Sequence, residues 1–465
     1  MSKKSQPTNR SRTPHSKKFL EFISSEWAEI EGPAITRWQV ADFAAKRRQA
    51  IADAFPEKQI VLESGAPKVR SNDSDYRYRP DTAFTHMTGW GSSTVPGSIL
   101  VIDSSSGQAH STVYLLPTAG KNTDEFFANP AIGEFWVGPR PTLEDVETQL
   151  GIKTKDIKEF KADKKTWSAV LDIQDEELMI ALSSLRFVKD DYEISEMKKA
   201  IEITANGFSQ VVKSLPEASR QHRGERVVET AFYSTARQLG YELGYETIAA
   251  SGAHACILHW TKNDGEVKPG DAILVDAGAE VDSLYTADIT RTIPVSGKFS
   301  KEQLWVYNAV LEASDAAFAV VKPGIKFRDI HNAAIAVIAK KVEELGILPV
   351  TAKEALESEN QHHRRYMVHG TSHHLGLDVH DCAQARREMY QDGTLEAGMV
   401  FTIEPGLYFH QNDLTVPEAY RGIGVRIEDN VLVTKTGSEN LSAMIPREPN
   451  EIEAWYESEL LGGAG

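Results

Sequence analysis

Four acidic residues interrupt apolar, strand-like runs in the second half of the chain. Asp276 follows the run Ala272–Val275, and Asp288 lies within the alternating pattern YTADITRTIPV. Glu404 closes MVFTI before a Pro-Gly pair, and Glu428 lies within GVRIEDNVLV. A carboxylate is costly to bury unless its charge is compensated. Any fold that buries these strands must therefore compensate a negative charge at four places.

For Asp276 taken alone, a salt bridge or an exposed strand end is the simpler interpretation. Four such acids together favour another solution, because carboxylates that lie close together repel each other and a divalent cation neutralises them. Four carboxylates suit two cations, and oxygen-rich ligation favours a hard ion such as Mn²⁺. The formal net charge of −16 also suits divalent cations and argues against a nucleic-acid partner.

The stretch VHGTSHHLGLDVHD lies between these acids and holds four of the 14 histidines of the chain. His369 and His373 are four residues apart, a spacing that would place both on one face of a helix, as in the zinc motif H-E-x-x-H. No glutamate follows His369, and Gly370 and Gly376 weaken a helix, so a zinc helix is a poor interpretation. A solvated loop is the alternative unless other residues converge on these imidazoles.

The composition is that of a folded, water-soluble chain. It has 465 residues, 41% hydrophobic and 25% charged, which is enough for two or three domains with sizeable cores. No apolar run reaches the roughly 18–20 residues that cross a bilayer. Cys256 and Cys382 cannot build a disulfide framework and lack the spacing of a metal site. Reduced thiols and a cytoplasmic location are therefore expected.

Three segments differ in composition. The first 20 residues hold six Lys or Arg and no acid. They lack the apolar stretch that is typical of a secretory signal. A disordered basic tail is expected over residues 1–35, with a transit peptide as the minor alternative. Residues 36–185 mix helical and strand-like runs, which predicts an N-terminal α/β domain. Residues 190–460 combine long amphipathic helices with hairpin-like strands, which predicts an α+β domain on an antiparallel sheet.

Five motifs, LVDAG, DITRT, HGTSHHLGLDVHD, EPGLY and GIGVRIEDN, follow one another in the second half of the chain. In this order they resemble the pita-bread metallopeptidases, which include methionine aminopeptidase, prolidase and aminopeptidase P. The resemblance implies an α+β fold class with a C-terminal pita-bread domain, in which helices flank a curved antiparallel sheet, and a smaller N-terminal α/β domain. That N-terminal segment favours the proline-directed branch, and DSDYRYRPDTAFTHMTGWG is more similar to aminopeptidase P than to prolidase.

Carried over position by position, the resemblance implies a dinuclear metal site. Its ligands would be Asp276, Asp288, His373, Glu404 and Glu428. Asp288 and Glu428 would bridge two divalent ions, with Mn²⁺ expected first and Co²⁺ or Zn²⁺ as alternatives.

The resemblance also implies residues that surround the substrate and support the metals. They are His259, His369, His380, Arg426, Tyr245 and Tyr408. The three histidines would contact the substrate and the developing tetrahedral centre, the arginine would pair with the acids, and the tyrosines would lie near the metals. No role is implied for His374. The sequence CAQARREMY after Asp381 departs from the family's usual Gly and Tyr, in a segment that helps to line the proline pocket.

The implied mechanism makes hydroxide available near neutral pH on two metal ions. Glu404 would accept or relay its proton, and His259 or His380 would stabilise the developing charge. The expected function is release of the first residue from peptides with proline in second position, by a homo-oligomer (dimer or tetramer) with no membrane or nucleic-acid partner. A prolidase restricted to Xaa-Pro dipeptides is the alternative. The complete ligand set disfavours a third possibility, a non-catalytic pita-bread binding protein.

Overall fold

The computed structural model describes residues 16–28, 34–72 and 74–461. The basic tail expected over residues 1–35 lies largely outside the described residues, although Lys17–Ile23 within it forms a short helix, α1. Among the described residues, no helix is long and apolar enough to cross a membrane.

The chain divides into two compact units, Met1–Leu182 and Ser183–Gly465. The strands of the first unit are β1 (Gln59–Glu63), β2 (Val69–Ser71), β3 (Ser74–Asp75), β4 (Ile99–Asp103), β5 (His110–Leu115), β6 (Lys153–Asp156) and β7 (Val170–Leu171). Its other helices are α2 (Val40–Ala54), α3 (Thr82–Thr88), α4 (Asp124–Ala128), α5 (Glu134–Val137), α6 (Leu143–Leu150), α7 (Phe160–Lys164) and α8 (Glu176–Ser184), the last of which leads into the second unit.

The first unit is built on a five-stranded mixed sheet of order β6-β5-β4-β1-β7. The central strand β4 pairs antiparallel with β1 and β5. The edge strand β6 pairs in parallel with β5, and the other edge strand, β7, pairs in parallel with β1. The apolar run ILVI of β4 is buried, as expected for a strand covered on both faces. On one face Val61 and Val101 pack with Phe160 and Trp167. Strands β1, β4 and β5 lie among the strand-like runs that were predicted within residues 36–185.

The second unit repeats one arrangement twice, a pair of helices followed by a three-stranded antiparallel sheet. Its helices are α9 (Asp191–Ala218), α10 (Gly224–Leu239), α11 (Lys301–Val320), α12 (Arg328–Glu344), α13 (Ala352–Ala355) and α14 (Pro449–Leu461). Its strands are β8 (Glu242–Leu243), β9 (Ile248–Ser251), β10 (Ala272–Ala277), β11 (Ala279–Glu280), β12 (Ile289–Pro294), β13 (Val400–Ile403), β14 (Gly406–Phe409), β15 (Ile423–Arg426), β16 (Asp429–Val433) and β17 (Ser438–Asn440). The first half combines α9 and α10 with the sheet β12-β10-β9, and the second combines α11 and α12 with β13-β16-β17.

Local sequence determines where the long helices begin and how closely they pack. Asp190 and Ser300 form capping boxes at the starts of α9 and α11, which satisfy backbone N–H groups that have no partner inside the helix. In α9, Gly207 allows α10 to approach closely, because a Cβ there would lie 2.6 Å from the ring of Phe232. Both helix pairs pack into one continuous apolar core with the strands. The predicted α+β class is confirmed.

Candidate metal centre

The four acids lie where the two halves of the second unit meet, two from each half. Asp276 lies in β10 opposite Thr290, and Asp288 immediately precedes β12. Glu404 immediately follows β13, and Glu428 immediately precedes β16. Strands β10 and β12 are neighbours, as are β13 and β16. Each half therefore supplies two carboxylates from one antiparallel strand pair.

A short set of buried hydrogen bonds joins the two halves at this point. The backbone N–H of Glu428 donates to the carbonyl oxygen of Thr290 over 3.0 Å, and the hydroxyl of Thr290 donates to Glu428 Oε2 over 2.6 Å. The fully buried Arg291 donates to the carbonyl oxygen of Glu428 over 2.6 Å and to Asp429 Oδ1 over 2.7 Å. The position of Glu428 is therefore set by both halves.

Metal-donor atoms converge at this junction. One donor atom each from Asp288, His373 and Glu428 lie within 4.8 Å of one another. His373 Nε2 lies 3.2 Å from Asp288 Oδ2 and 3.6 Å from Glu404 Oε1. Two acids from different halves and one imidazole thus surround a space of the size that a metal ion fills.

The charges at this junction fit a divalent cation. Glu428 is 1% exposed, and among the described residues its Oε1 has no hydrogen-bond partner. Burial and then the neighbouring acids raise the pKa of Glu428 well above its usual range, and burial raises the pKa of Glu404 to about 7 and that of Asp288 as well. Buried acids that repel each other, with an unpaired carboxylate oxygen among them, are compensated by a cation of charge two or more.

Asp276 is held against this cluster by an arginine and a tyrosine. Arg426 makes a short charged hydrogen bond to Asp276 Oδ2. The hydroxyl of Tyr245 lies 2.6 Å from Asp276 Oδ1 and 2.5 Å from Asp288 Oδ1. A phenol has one hydrogen and cannot donate to both oxygens. One of the two contacts therefore has no hydrogen between its oxygens. A cation bound near the two acids would offset the repulsion between these oxygens.

The backbone orients His373 toward the acids. Its N–H donates to the hydroxyl of Thr402 over 3.2 Å, and its Nδ1 lies 3.1 Å from the carbonyl oxygen of His374. This leaves Nε2 facing the carboxylates, the usual arrangement of a ligating histidine whose second nitrogen is hydrogen-bonded. Burial alone would lower the pKa of His373, but the hydrogen bond and charge of Asp288 outweigh it and raise the pKa to about 9.

One cavity of about 610 Å³ contains this cluster. It is lined by all the residues named from the sequence as ligands or catalytic groups, namely Asp276, Asp288, His373, Glu404, Glu428, His259, His369, His380 and Arg426. The second tyrosine, Tyr408, does not line the cavity, and its hydroxyl donates to His369 Nε2 over 2.8 Å, because Nδ1 of that ring faces a carbonyl oxygen. The structure thus brings together residues from six separate segments of the chain.

The three further histidines of the cavity differ in what holds them. His369 is committed on both nitrogens, to the carbonyl oxygen of Gly370 over 2.7 Å and to the hydroxyl of Tyr408, which also contacts Arg426 over 3.2 Å. Among the described residues, the imidazoles of His259 and His380 have no hydrogen-bond partner. Burial lowers the pKa of His369 to about 3 and that of His380 to about 4. The rings of His369 and His380 are therefore uncharged at neutral pH.

His374 does not reach the cavity. It is 1% exposed, and its ring stacks on Phe327 with centroids 4.5 Å apart, with Phe187 and Tyr390 at its edges. Burial lowers its pKa well below the usual range. It is a packing residue in an aromatic cluster.

Two residues that support the site were missed in the sequence. Thr290 holds Glu428 as described above, and Asn430 accepts a hydrogen bond from the backbone N–H of Asp288 over 3.2 Å. Both are polar residues in buried strands, the same signal that singled out the acids. Neutral side chains carry no charge that needs compensation, so that signal is weaker for them.

The fold and the donor cluster define a class of protein. Residues 195–435 match metallopeptidase family M24, and residues 44–170 match the N-terminal domain of aminopeptidase P. The chain belongs to metallopeptidase family M24. The predicted pita-bread fold, the predicted family and the predicted enzyme class, a metal-dependent hydrolase, are confirmed.

Several individual proteins to which this chain is similar are Xaa-Pro aminopeptidases. It is 42% identical to Xaa-Pro aminopeptidase 1 of Streptomyces coelicolor over 459 residues, 95% of this chain and 92% of that protein. It is 44% identical to Xaa-Pro aminopeptidase 2 of the same organism over 452 residues, 93% of this chain and 95% of that protein. Among solved structures, zinc-substituted aminopeptidase P of Escherichia coli in complex with product has a TM-score of 0.76 and 29% identity, covering 93% of this chain and 99% of that one.

Proposed function

We propose that this chain is an Xaa-Pro aminopeptidase that removes the first residue from peptides with proline in second position. The observation that carries the proposal is the junction cluster, in which donor atoms of Asp288, His373 and Glu428 converge and, within the described part of the chain, Glu428 Oε1 has no hydrogen-bond partner. The similarity to the two Streptomyces proteins, over nearly the full length of both chains, supports this choice of substrate.

The proposed metal ligands are Asp276, Asp288, His373, Glu404 and Glu428. Four carboxylates and one imidazole suit two hard divalent cations, with Mn²⁺ first and Co²⁺ or Zn²⁺ as alternatives. Asp288 and Glu428 face each other across the junction, which suits them to bridge two ions. When bound, the cations supply Lewis-acid activation of a water molecule and of the scissile carbonyl.

The side chains of the cavity supply proton handling and hydrogen bonds. Glu404 lines the cavity 3.6 Å from His373 Nε2, and its carboxylate is proposed to accept or relay the proton of the activated water. His259 and His380 have uncommitted imidazole nitrogens and can donate to the carbonyl oxygen as charge develops on it. His369 is committed on both nitrogens, so its proposed role is to shape the wall beside the substrate. Arg426 holds Asp276 in place.

The substrate preference follows from chemistry that an Xaa-Pro bond imposes. Its nitrogen carries no hydrogen and its ring fixes φ, so an enzyme must receive this bond in a shape that other peptides do not share. The acids of the cavity also suit a free, positively charged N-terminus. A homo-oligomer and a cytoplasmic location are further parts of the proposal, the latter resting on the two cysteines, which are buried and unpaired.

Hydrolysis of matched peptides tests this function. Metal-stripped protein is assayed with Xaa-Pro-Yaa, Xaa-Ala-Yaa and the Xaa-Pro dipeptide, without metal and with Mn²⁺, Co²⁺ or Zn²⁺. Cleavage of Xaa-Pro-Yaa that requires metal and exceeds cleavage of Xaa-Ala-Yaa is expected. Cleavage of the dipeptide alone would make the protein a dipeptidase instead. No cleavage of any peptide, with metal shown to be bound, would refute the peptidase function.

A further inference from the structure

A carboxylate outside the metal cavity is buried in an unusual set of contacts. Glu225 lies in the first turn of α10, is fully buried and does not line the cavity. Its Oε1 accepts from the backbone N–H of Ser251 over 2.9 Å and lies 2.7 Å from His254 Nδ1. Its Oε2 accepts from Trp260 Nε1 over 2.8 Å and from the backbone N–H of Gly265 over 2.6 Å. Each oxygen therefore has two partners.

All four partners belong to residues 251–265, a segment that we call the anchored loop. A carboxylate has about four acceptor positions, and in Glu225 all of them are used. Among the described residues, no lysine or arginine pairs with Glu225, so the donors of the anchored loop are what compensates its burial. In turn, four groups of the anchored loop are held in place by one side chain, Glu225, which belongs to α10.

The packing around this carboxylate leaves little room for another arrangement. A Cβ on Gly265 would lie 2.7 Å from Glu225 Oε2 and 2.6 Å from the ring of His254, so only glycine fits there. The rings of His254 and Trp260 stack with centroids 3.9 Å apart. Two ring partners of the carboxylate thus also hold each other, and the loop conformation depends on the whole group.

The anchored loop forms one wall of the metal cavity. Leu258, His259 and Thr261 line the cavity, and none of the proposed metal ligands belongs to the loop. His259 is exposed, and its imidazole has no hydrogen-bond partner among the described residues. Its position therefore depends on the backbone of the loop and not on contacts of its own side chain.

We propose that Glu225 is a positioning residue for the peptidase reaction, which acts by fixing the anchored loop and with it His259 against the substrate. This inference rests on the proposed function. Glu225 itself touches neither the substrate nor the metal ligands. Replacing one of its oxygens by an amide group would place an NH₂ against two N–H donors and release part of the loop, with no change in the charge or the geometry of the metal cluster.

The test compares Glu225→Gln with Glu229→Gln, a control one turn further along α10. With metal content confirmed, kcat/KM for Xaa-Pro-Yaa is expected to fall about 100-fold in Glu225→Gln, because a displacement of about 1 Å at a reacting group costs that much. The control is expected to stay within about threefold of the unaltered protein.

In a His259→Ala background, Glu225→Gln is expected to change kcat/KM by less than about threefold, because both changes act through one group. A 100-fold loss in both backgrounds would overturn the proposal.

Amide hydrogen exchange in the metal-free protein provides a readout that does not depend on activity. Exchange is expected to rise in residues 251–265 of Glu225→Gln and to stay unchanged in Asp191–Ala218. Trp260→Phe removes one of the four donors and serves if the glutamine variant does not fold; a smaller increase confined to the same segment is expected. Unchanged exchange in the loop would overturn the anchoring. Failure of the unaltered protein to cleave Xaa-Pro-Yaa would refute the proposed function, and the exchange result would then stand as the test of the anchoring alone.

Discussion

Two buried clusters of charged residues in the second unit have opposite charge balance. At the metal centre, acids outnumber the nearby bases, and burial raises the pKa of Asp288, Glu404 and Glu428. At the second cluster one acid, Asp381, faces two bases. Its Oδ1 accepts from Arg186 over 2.8 Å and its Oδ2 from Lys189 over 3.0 Å, and all three side chains are almost completely buried. Burial would raise the pKa of Asp381, but the two cations hold it well below its usual range.

The comparison shows that burial alone does not identify a functional acid. Asp381 is as buried as the acids of the metal centre, yet its charge is fully compensated within the protein. Among the residues that the structure describes, Glu428 has a buried oxygen without a hydrogen-bond partner, which suits a bound cation. The Asp381 cluster is therefore compensated within the fold, whereas the metal centre creates a binding site at some cost in stability.

The largest effect is expected from Asp381→Asn. This change leaves two buried cations without their counter-charge, and loss of one partner of a buried ion pair costs about 3–5 kcal/mol of the free energy of unfolding. Since the folded pKa is depressed, the stabilisation is complete above the ordinary aspartate pKa of about 4 and is lost as the pH falls through the folded value. Denaturant unfolding at several pH values should therefore show a gap between the two proteins that is full at pH 7 and narrows below about pH 4.

Asp378→Asn is the matched control for that change. Asp378 lies 3.8 Å from Arg186 and is one-third exposed, so its loss is expected to cost less than about 1 kcal/mol. Equal costs for the two variants would show that the charge count around Asp381 does not govern its contribution.

Glu428→Gln is expected to have the opposite pattern, with a large effect on activity and none on metal-free stability. The change removes a proposed bridging ligand. Because loss of a residue that only supports a ligand lowers metal affinity or activity by about 10–100-fold, peptidase activity should fall at least about 100-fold. The hydrogen bond from Thr290 is kept, and one repelling charge is removed. The melting temperature of the metal-free protein should therefore stay equal or rise. A clear fall would contradict the distinction between the two clusters.

Tyr245→Phe tests how the acids of the metal centre are held apart. Its hydroxyl contacts Asp276 and Asp288. Loss of a hydrogen bond that orients a ligand usually costs about 10–100-fold in metal affinity or activity, and metal titration followed by calorimetry should show a fall in that range. Tyr233→Phe, which alters a partly exposed tyrosine of α10, should leave the affinity unchanged.

The smallest effect is expected at an exposed ion pair. Arg365 donates two hydrogen bonds of 2.8 Å to Asp413, the same number of charged contacts that Asp381 receives. The pKa of Asp413 is also held below its usual range by Arg365. Arg365 is 57% exposed, so Arg365→Gln should lower the free energy of unfolding by less than about 1 kcal/mol. If Arg365→Gln lowered the free energy of unfolding as much as Asp381→Asn, exposure to solvent would not explain the difference expected between the two ion pairs.

The parts of the site that could be predicted carry a signal in their own segment. An acid in an apolar strand pattern identified Asp276 and Glu428 before any contact was known, and the order of the motifs identified the family. Glu225 could not be recognised, because an acid in the first turn of a helix is expected on dipole grounds alone. Its role depends on partners that follow it by 26 to 40 residues, and residue types give no information about such pairings.

The fold of the second unit was predictable in class but not in arrangement. Helical and alternating patterns give the elements, such as the helix Lys301–Val320, whose capping box starts at Ser300. The meeting of the two halves depends on Thr290 and Glu428, which are 138 residues apart. Asp381 was noted in the sequence for the residues that follow it, and its two buried cations were not expected, since Arg186 and Lys189 lie near 200 residues away in the chain.

The division of the acids between two halves has a consequence for the timing of biosynthesis. Asp276 and Glu428 are separated by about 150 residues, and at roughly 5–20 residues per second a ribosome needs about 8–30 s to add that length. From Asp288 until Glu404 is added, the growing chain has two of the carboxylates and lacks both acids of the other half. The proposed metal centre can therefore be completed only near the end of translation or after it, and a chain that stops before Glu428 would lack one of the proposed ligands.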